Sequence, residues 1–451
     1  MSISSELLTL NNTKTAIRTA INNKGGSVGA NDTFASYATA IDNLPSGGDN
    51  STLIDLIERD ITSINIPSGT TSIGNYAFYY ATSLSSVTMP DSVTSIGSNA
   101  FYGCSGLTSP PIGNGVTSIG DNAFRECTGF TGNLVLPNTV TSLGQYSFKG
   151  TKFRNITIGT GITAIPNYAF QYDSYGNRTT LDSITIPNTV TSIGQYAFSV
   201  KNSNNNMEIN IPDSVTTIGD HAFYDSDSTS GGDYKKITIG TGITSIGSSA
   251  FSGAYSPNGS TYNKTEVLVI KATTPPTIGT GSYGQSFAFK SEYGIYVPAA
   301  SVEAYKAASG WSSYASRIFA IEQIATVDGN PVYNYEIGET DSVIGNTEMG
   351  NMPTGTSIEF AEGVTRIQGI INGYTTVTLP STLIGLDNLQ NIIGSSVTTL
   401  TMKSTTPPTA QANNPGGAGL TAIYVPASAV STYQSDTAWS SFSSIIQAIP
   451  E

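Results

Sequence analysis

The chain has 451 residues with 19 basic and 32 acidic side chains, a net charge of -13, and only 11% charged residues beside 38% hydrophobic ones. Sparse, unclustered Lys and Arg exclude a phosphate-tracking nucleic-acid binder, no stretch nears the roughly 20 apolar residues that span a bilayer, and its 2 cysteines cannot staple so long a chain. With 24 Tyr, 16 Phe, 47 Gly and many Ile and Val, the composition describes an ordered, β-rich protein with a polar but largely uncharged surface.

Residues 1–44 differ from everything after them. Met1 to Leu8 has neither the basic start nor the apolar run of an export signal. Ile3, Leu7 and Leu10, then Ile17, Ala20 and Ile21, fall at helical spacing. Gly25-Gly26 breaks the pattern, and Phe34, Tyr37, Ile41 and Leu44 resume it. A helical pair this short cannot build its own core. It therefore docks onto a partner or onto copies of itself, with Ile17, Ile21, Phe34, Tyr37 and Ile41 as the attachment residues. The phrase from Asn12 to Gly25, followed by Phe34-Ala-Ser-Tyr37, resembles modules of phage tail-fibre proteins. That resemblance implies attachment to other virion proteins. Residues 45–50, Pro-Ser-Gly-Gly-Asp-Asn, read as a linker.

From 51 to 270 the chain repeats itself. Leu53, Ile54, Leu56 and Ile57 predict a short amphipathic cap over 51–60. The phrase Ile-Gly-x-x-Ala-Phe then recurs eight times, with its Phe at Phe78, Phe101, Phe124, Phe148, Phe170, Phe198, Phe223 and Phe251. The copies are led by Ile73, Ile96, Ile119, Leu143, Ile165, Ile193, Ile218 and Ile246. Most follow an alternating strand closed by Pro or Gly, such as Ile64-Asn-Ile66-Pro67 or Ile237-Thr-Ile239-Gly240. One such coil cannot bury its own Ile and Phe, but stacked copies cover one another. The expectation is a parallel strand ladder with a short helical or 3₁₀ turn in each coil. The copies resemble BspA-type leucine-rich repeats; Leu84, Val87, Met89, Pro90, Val93, Ile96, Gly97, Ala100, Phe101 and Cys104 carry that pattern nearly whole. The resemblance implies a solenoid that presents a binding surface, without implying an enzyme.

Residues 271–321 form a module that recurs at 403–451. Lys271 to Thr277 matches Lys403 to Thr409, and Ile295-Tyr-Val-Pro298 matches Ile423-Tyr-Val-Pro426. Beyond the second Pro, Tyr305 answers Tyr433, Trp311 answers Trp439 and Tyr314 answers Phe442 at identical spacing. Both tryptophans of the chain are thus packing residues of a capping module. Between the copies, 322–402 reads as a shorter, degenerate solenoid with strands at Ile358–Phe360, Val364–Ile367, Val377–Pro380 and Val397–Met402. Val327–Met352 is acidic, weakly patterned and expected to be an irregular junction. The fold class is a β-rich leucine-rich-repeat solenoid with a small helical N-terminal module and two similar C-terminal capping modules.

Candidate chemistry is thin. His221, the only histidine, sits in a repeat slot held elsewhere by Tyr76, Asn99, Asn122, Tyr146, Tyr168, Tyr196 and Ser249, so its place is structural. Gly25-Gly-Ser27-Val-Gly29 joins two helical patterns and lacks the strand a nucleophile elbow needs. Gly279-Thr-Gly281-Ser-Tyr-Gly284 lies in no βαβ unit. Cys104 and Cys127 are one repeat apart, and buried free thiols are favoured over a disulfide. The carboxylates Asp225 with Asp227, and Asp173 with Asp182, read as solvated loops. No catalytic residue, metal site or cofactor is expected.

Three insertions follow the Ala-Phe wedge and leave from the same point of the coil. They carry Tyr172, Tyr175 and Arg178; Tyr224, Asp225 and Tyr234; and Tyr255, Asn258, Tyr262 and Asn263, side chains suited to sugars or protein loops. The favoured reading is a phage tail fibre or receptor-binding appendage in the virion, engaging a host-surface glycan or protein. The alternative is a BspA-like adhesin on a bacterial cell surface, and a third reading is a polysaccharide depolymerase.

Overall fold

A strand of alternating apolar and small polar residues has one face to hide and no partner of its own. In the computed structural model of this chain each such strand finds that partner one repeat away. The structure describes residues 62–172, 181–199, 207–224, 234–251, 267–279, 294–337, 343–386, 393–410 and 418–450. The N-terminal helices, the linker and the 51–60 cap lie outside them.

The described residues divide into two compact units, one running to Ile295 with Glu303–Arg317, the other comprising Tyr296–Val302 and Ile318 onward. In the first unit the coils build two parallel ladders, and the coil holding Pro110 and Pro111 adds a strand only to the second. One ladder takes the strands seen in the sequence: Ser63–Asn65 lies beside Ser86–Thr88, with Ile64 opposite Val87. Asn133–Val135, Asn155–Thr157 and Ser183–Thr185 pair in turn, as do Met207–Ile211, Tyr234–Ile239 and Val267–Ile270. The other ladder takes only two residues per coil. Ser72–Ile73, Ser95–Ile96, Ser118–Ile119 and Ser142–Leu143 form one run, and Ala164–Ile165, Ser192–Ile193, Thr217–Ile218, Ser245–Ile246 and Thr277–Ile278 form the next. Coils sit too close for a side chain at the glycine that follows most pairs, although Pro166 follows Ile165. A Cβ on Gly194 would stand 2.6 Å from the Asn167 amide nitrogen.

The short turn expected in each coil is a chain of single 3₁₀-type turns rather than a continuous helix. Around Phe78, every second amide closes a four-residue turn: Ala77 donates to Gly74, Tyr79 to Tyr76 and Ala81 to Phe78. The amides between them leave the coil, with Tyr76 donating to Ser98, Phe78 to Ala100 and Tyr80 to Tyr102 in the next copy. A helix would satisfy all of these within its own segment. The alternation follows from left-handed residues, since Tyr76, Asn99, Asn122, Tyr146, Tyr168, Tyr196, His221 and Ser249 all have φ between 52° and 61°. This is the slot that tolerates Tyr, Asn, His and Ser, and Asn and His are enriched in that backbone region.

Inside the coils the Phe side chains stack from Phe78 to Phe251, with neighbouring centroids 5.0 to 5.5 Å apart. All are buried except Phe78, which is half-buried. Cys104 and Cys127 are free buried thiols, and each donates to a carbonyl of the preceding coil, Phe78 at 2.9 Å and Phe101 at 3.0 Å. Outside, Thr94, Thr117 and Thr141 each donate a hydroxyl to the preceding Thr carbonyl, at 3.0 to 3.2 Å.

In the second unit the described part of the stretch expected to be an irregular junction forms regular elements. Gln323–Val327 and Asn330–Tyr333 form an antiparallel hairpin around Asp328-Gly329, with φ of 48° and 82°. Helices Asn334–Ile337 and Asn346–Asn351 follow. Ser357–Phe360 pairs antiparallel to the hairpin and begins a parallel run through Thr376–Leu379, Thr399–Met402, Ala422–Val425 and Ile446–Ala448.

The two tryptophan modules match in detail. Tyr305 Oη donates to the Ala272 carbonyl at 3.0 Å and Tyr433 Oη to Ser404 at 3.1 Å. Trp311 Nε1 donates to Pro276 at 2.7 Å and Trp439 Nε1 to Pro408 at 3.3 Å. Both indoles are fully buried, so the polar tip of each large ring is satisfied where it is sequestered.

Candidate binding surface

The left-handed slot turns its side chains outward into a row along the coil corners. Tyr146, Tyr168, Tyr196 and His221 stack with centroids 4.6, 5.2 and 4.5 Å apart and planes within 9° of parallel. Each ring covers its neighbour's face, so the row offers ring edges and hydroxyls rather than flat faces. Burial raises the Tyr168 and Tyr196 phenols above their ordinary value, with neighbouring phenols adding to it. Burial likewise lowers the imidazole of His221, which the Asp220 carboxylate partly offsets.

At the other end of the same corner lies a tyrosine cluster. Tyr79 packs edge-on against Tyr76 and Tyr80, at 5.4 and 4.8 Å, and Tyr102 lies 5.1 Å away. Tyr76 is 47% and Tyr80 51% exposed, high values for rings of this size. The Arg125 guanidinium sits 5.5 Å over Tyr102 and 5.7 Å over Tyr146, which joins the cluster to the stacked row. Burial pushes the Tyr102 phenol up to about 12, against a lowering by Arg125.

Beside the stacked row runs an open groove of about 690 Å³, within the range of small-ligand sites. Its lining includes Gln145, Asn167, Gln195 and Asp220, each preceding a row member in sequence, together with Ser192, Thr217 and Ser245 from the two-residue ladder. Asn167 Oδ1 accepts from the Gln195 amide at 2.8 Å, and Asp220 Oδ1 from the Ser248 amide at 2.7 Å. These bonds to the next coil fix both side chains in place.

The insertion residues fare differently. Tyr172 is half-buried, with its amide donating to the Ser199 carbonyl at 2.8 Å. Tyr224 is half-buried with its ring 5.2 Å from His221. Tyr234 is not a projecting residue: it is 1% exposed, opens the strand Tyr234–Ile239, and donates its hydroxyl to Phe223 at 2.6 Å. Tyr175, Arg178, Asp225, Tyr255, Asn258, Tyr262 and Asn263 lie outside the described residues, as do Ile17, Ile21, Phe34, Tyr37 and Ile41. Asp182 is not a free loop carboxylate, since its Oδ2 pairs with Arg154 at 2.7 Å. Among the described residues no three of His, Cys, Asp and Glu gather to hold a metal, and no helix is long and apolar enough to cross a membrane. The row and the groove escaped sequence reasoning, although consecutive Tyr, Tyr, Tyr and His in one slot was the available signal.

Residues 57–176 and 173–265 match the family described as the BspA type leucine rich repeat region, in six copies. No curated protein matches the chain. Among solved structures, a leucine-rich repeat protein from Bacteroides ovatus is 18% identical, covering 86% of this chain and 92% of its own, with a TM-score of 0.35. A leucine rich cell surface protein from Faecalibacterium prausnitzii is 22% identical over 72% of this chain and 83% of its own, with a TM-score of 0.34. A T. pallidum leucine rich repeat protein is 21% identical over 31% of this chain, with a TM-score of 0.27, and the match spans 62% of that protein's length. The stacked coils of the described residues within 57–265 agree with that repeat match.

Proposed function

We propose that this chain is a surface-recognition protein of adhesin type, which binds a glycan or protein on a cell surface and performs no chemistry on it. The exposed cluster of Tyr76, Tyr79, Tyr80 and Tyr102 beside Arg125 carries this reading. Tyr and Arg dominate binding energy at protein interfaces, and here they are held by ring packing on a stacked scaffold, which lowers the ordering cost of binding. The six-copy repeat match supports a BspA-like cell-surface protein. The phage-appendage reading rests on residues 1–44, which lie outside the described residues, and on the repeat array, which it shares with the adhesin reading.

The test is retention of labelled full-length protein on intact bacterial and epithelial cells, read by flow cytometry. Tyr76→Asn and Tyr80→Gly together install the residues found at the equivalent positions Asn99 and Gly103, so the left-handed backbone is kept. The double variant is expected to lose about ten-fold or more in binding. Binding equal to that of the original protein, or retention by no cell type, defeats the reading.

A further inference from the structure

We infer that the groove beside the stacked row is a binding site for a neutral, linear oligosaccharide lying along the coil axis. The inference deepens the adhesin reading and rests on it for its biological setting, while standing on a different set of residues.

The groove repeats. Gln145, Asn167, Gln195 and Asp220 come from four successive coils and occupy one position of the repeat. Parallel neighbours in a ladder are about 4.8 Å apart, so hydrogen-bonding groups recur at that interval along the lining. Ser192, Thr217 and Ser245 add hydroxyls from successive pairs of the short ladder. A linear glycan presents hydroxyls at a comparable interval and can meet each coil in the same way.

Three features exclude other occupants. The lining holds no Lys or Arg, and its one charge is the Asp220 carboxylate, so a phosphate or polyanion finds no counter-charge there. An extended peptide binds to the edge of a sheet through free backbone groups. This groove lies over ladder strands whose backbone groups already bond to adjacent coils, as Gly194 does to Ile165 and Gly219 to Ile193. A peptide also advances about 3.3 Å per residue, out of step with the coils. The lining nevertheless includes apolar surface from the exposed Ala164 and the half-buried Pro166, which suits the C–H faces of sugar rings.

Pre-orientation favours the same ligand. With Asn167 Oδ1 held by the Gln195 amide and Asp220 Oδ1 held by the Ser248 amide, Asn167 Nδ2 is left to donate and Asp220 Oδ2 to accept. Alternating fixed donors and acceptors match hydroxyls, which do both.

The test screens full-length protein on an array of neutral and acidic linear glycans. Titration calorimetry follows, with the di-, tetra- and hexasaccharides of α-1,4-glucose, β-1,4-glucose, β-1,4-xylose and β-1,4-N-acetylglucosamine. At least one neutral series is expected to bind, with affinity rising from two to four units and then levelling, because the Gln145, Asn167, Gln195 and Asp220 row spans four of the five coils that line the groove. Gln145→Ala with Gln195→Ala is expected to lower that affinity about ten-fold. Val135→Ala, on the other ladder and 65% exposed, is expected to leave it unchanged. Circular dichroism checks that each variant folds. Absence of binding by every neutral series, preference for acidic glycans, length-independent binding, or an unaffected double glutamine variant overturns the inference. Cell retention that persists when all neutral series fail removes this site but keeps the adhesin reading; oligosaccharide binding without cell retention does the reverse.

Discussion

His221 is the chain's only histidine, so its titration can be followed without interference. Burial holds its imidazole below the ordinary 6.5, and the Asp220 carboxylate pulls the other way. Asp220→Asn keeps the oxygen that accepts from Ser248 and removes the charge, so the His221 midpoint should move lower still, as read by NMR. The sign for stability follows. The unfolded chain takes up a proton near pH 6.5 while the folded chain resists it, so this residue's contribution falls as pH drops below that value and levels off beneath the folded midpoint. Cys127 obeys similar logic. Its thiol is buried and its pKa is pushed well above the usual value by desolvation first. Alkylation of native protein by iodoacetamide should therefore spare it, and labelling should appear only on unfolding. The sequence placed both residues in the repeat but gave no view of either environment. Half of the slot positions hold Tyr, which rarely advertises a left-handed backbone, so the turn that builds the aromatic row stayed hidden; the two Asn at 99 and 122 were the faint clue.

A coil depends on the coils beside it. Phe148 lies 5.2 Å from Phe124 and 5.5 Å from Phe170, with no exposed surface. Phe148→Ala should cost about 3–5 kcal/mol in denaturant unfolding, and amide exchange should accelerate in both adjoining coils, because nearest-neighbour contacts hold such arrays together. The Asp328 hairpin is another element with a direct test. Its carboxylate accepts from the Thr356 and Ser357 amides and hydroxyls, at 2.8 to 3.1 Å, and these bonds hold its pKa at about 2. A carboxyl depressed in this way stabilises the folded state fully above its ordinary value and loses that contribution as pH falls towards 2. Asp328→Ala should raise amide exchange at Thr356 and Ser357 at neutral pH. Strand positions were legible because their alternation is local: Ile358–Phe360 and Val377–Pro380 each fall on a strand. The hairpin was legible in principle, since Asp-Gly between short alternating segments is a turn signal. The acidic stretch from Glu336 to Asp341 that follows it concealed it. The groove was missed because it exists only where five coils meet.

Over the whole chain, each unit carries a single tryptophan, Trp311 in the first and Trp439 in the second. Both indoles are buried and hydrogen-bonded. In Trp439→Phe the remaining emission reports the first unit alone, and in Trp311→Phe it reports the second. Each should begin blue-shifted and move to the red as its own unit unfolds in denaturant. A variant already red-shifted in native buffer would show that its indole meets water.

The amides that leave each turn point the same way at every junction, towards the following copy, and meet carbonyls in the same places. Donor and acceptor sets therefore fit whichever copies are adjacent. Duplicating or deleting one full period joins surfaces already complementary, whereas an insertion that breaks phase does not. Length thus becomes a quantity that unequal recombination can adjust, giving shorter or longer readers of the same kind without redesigning any contact.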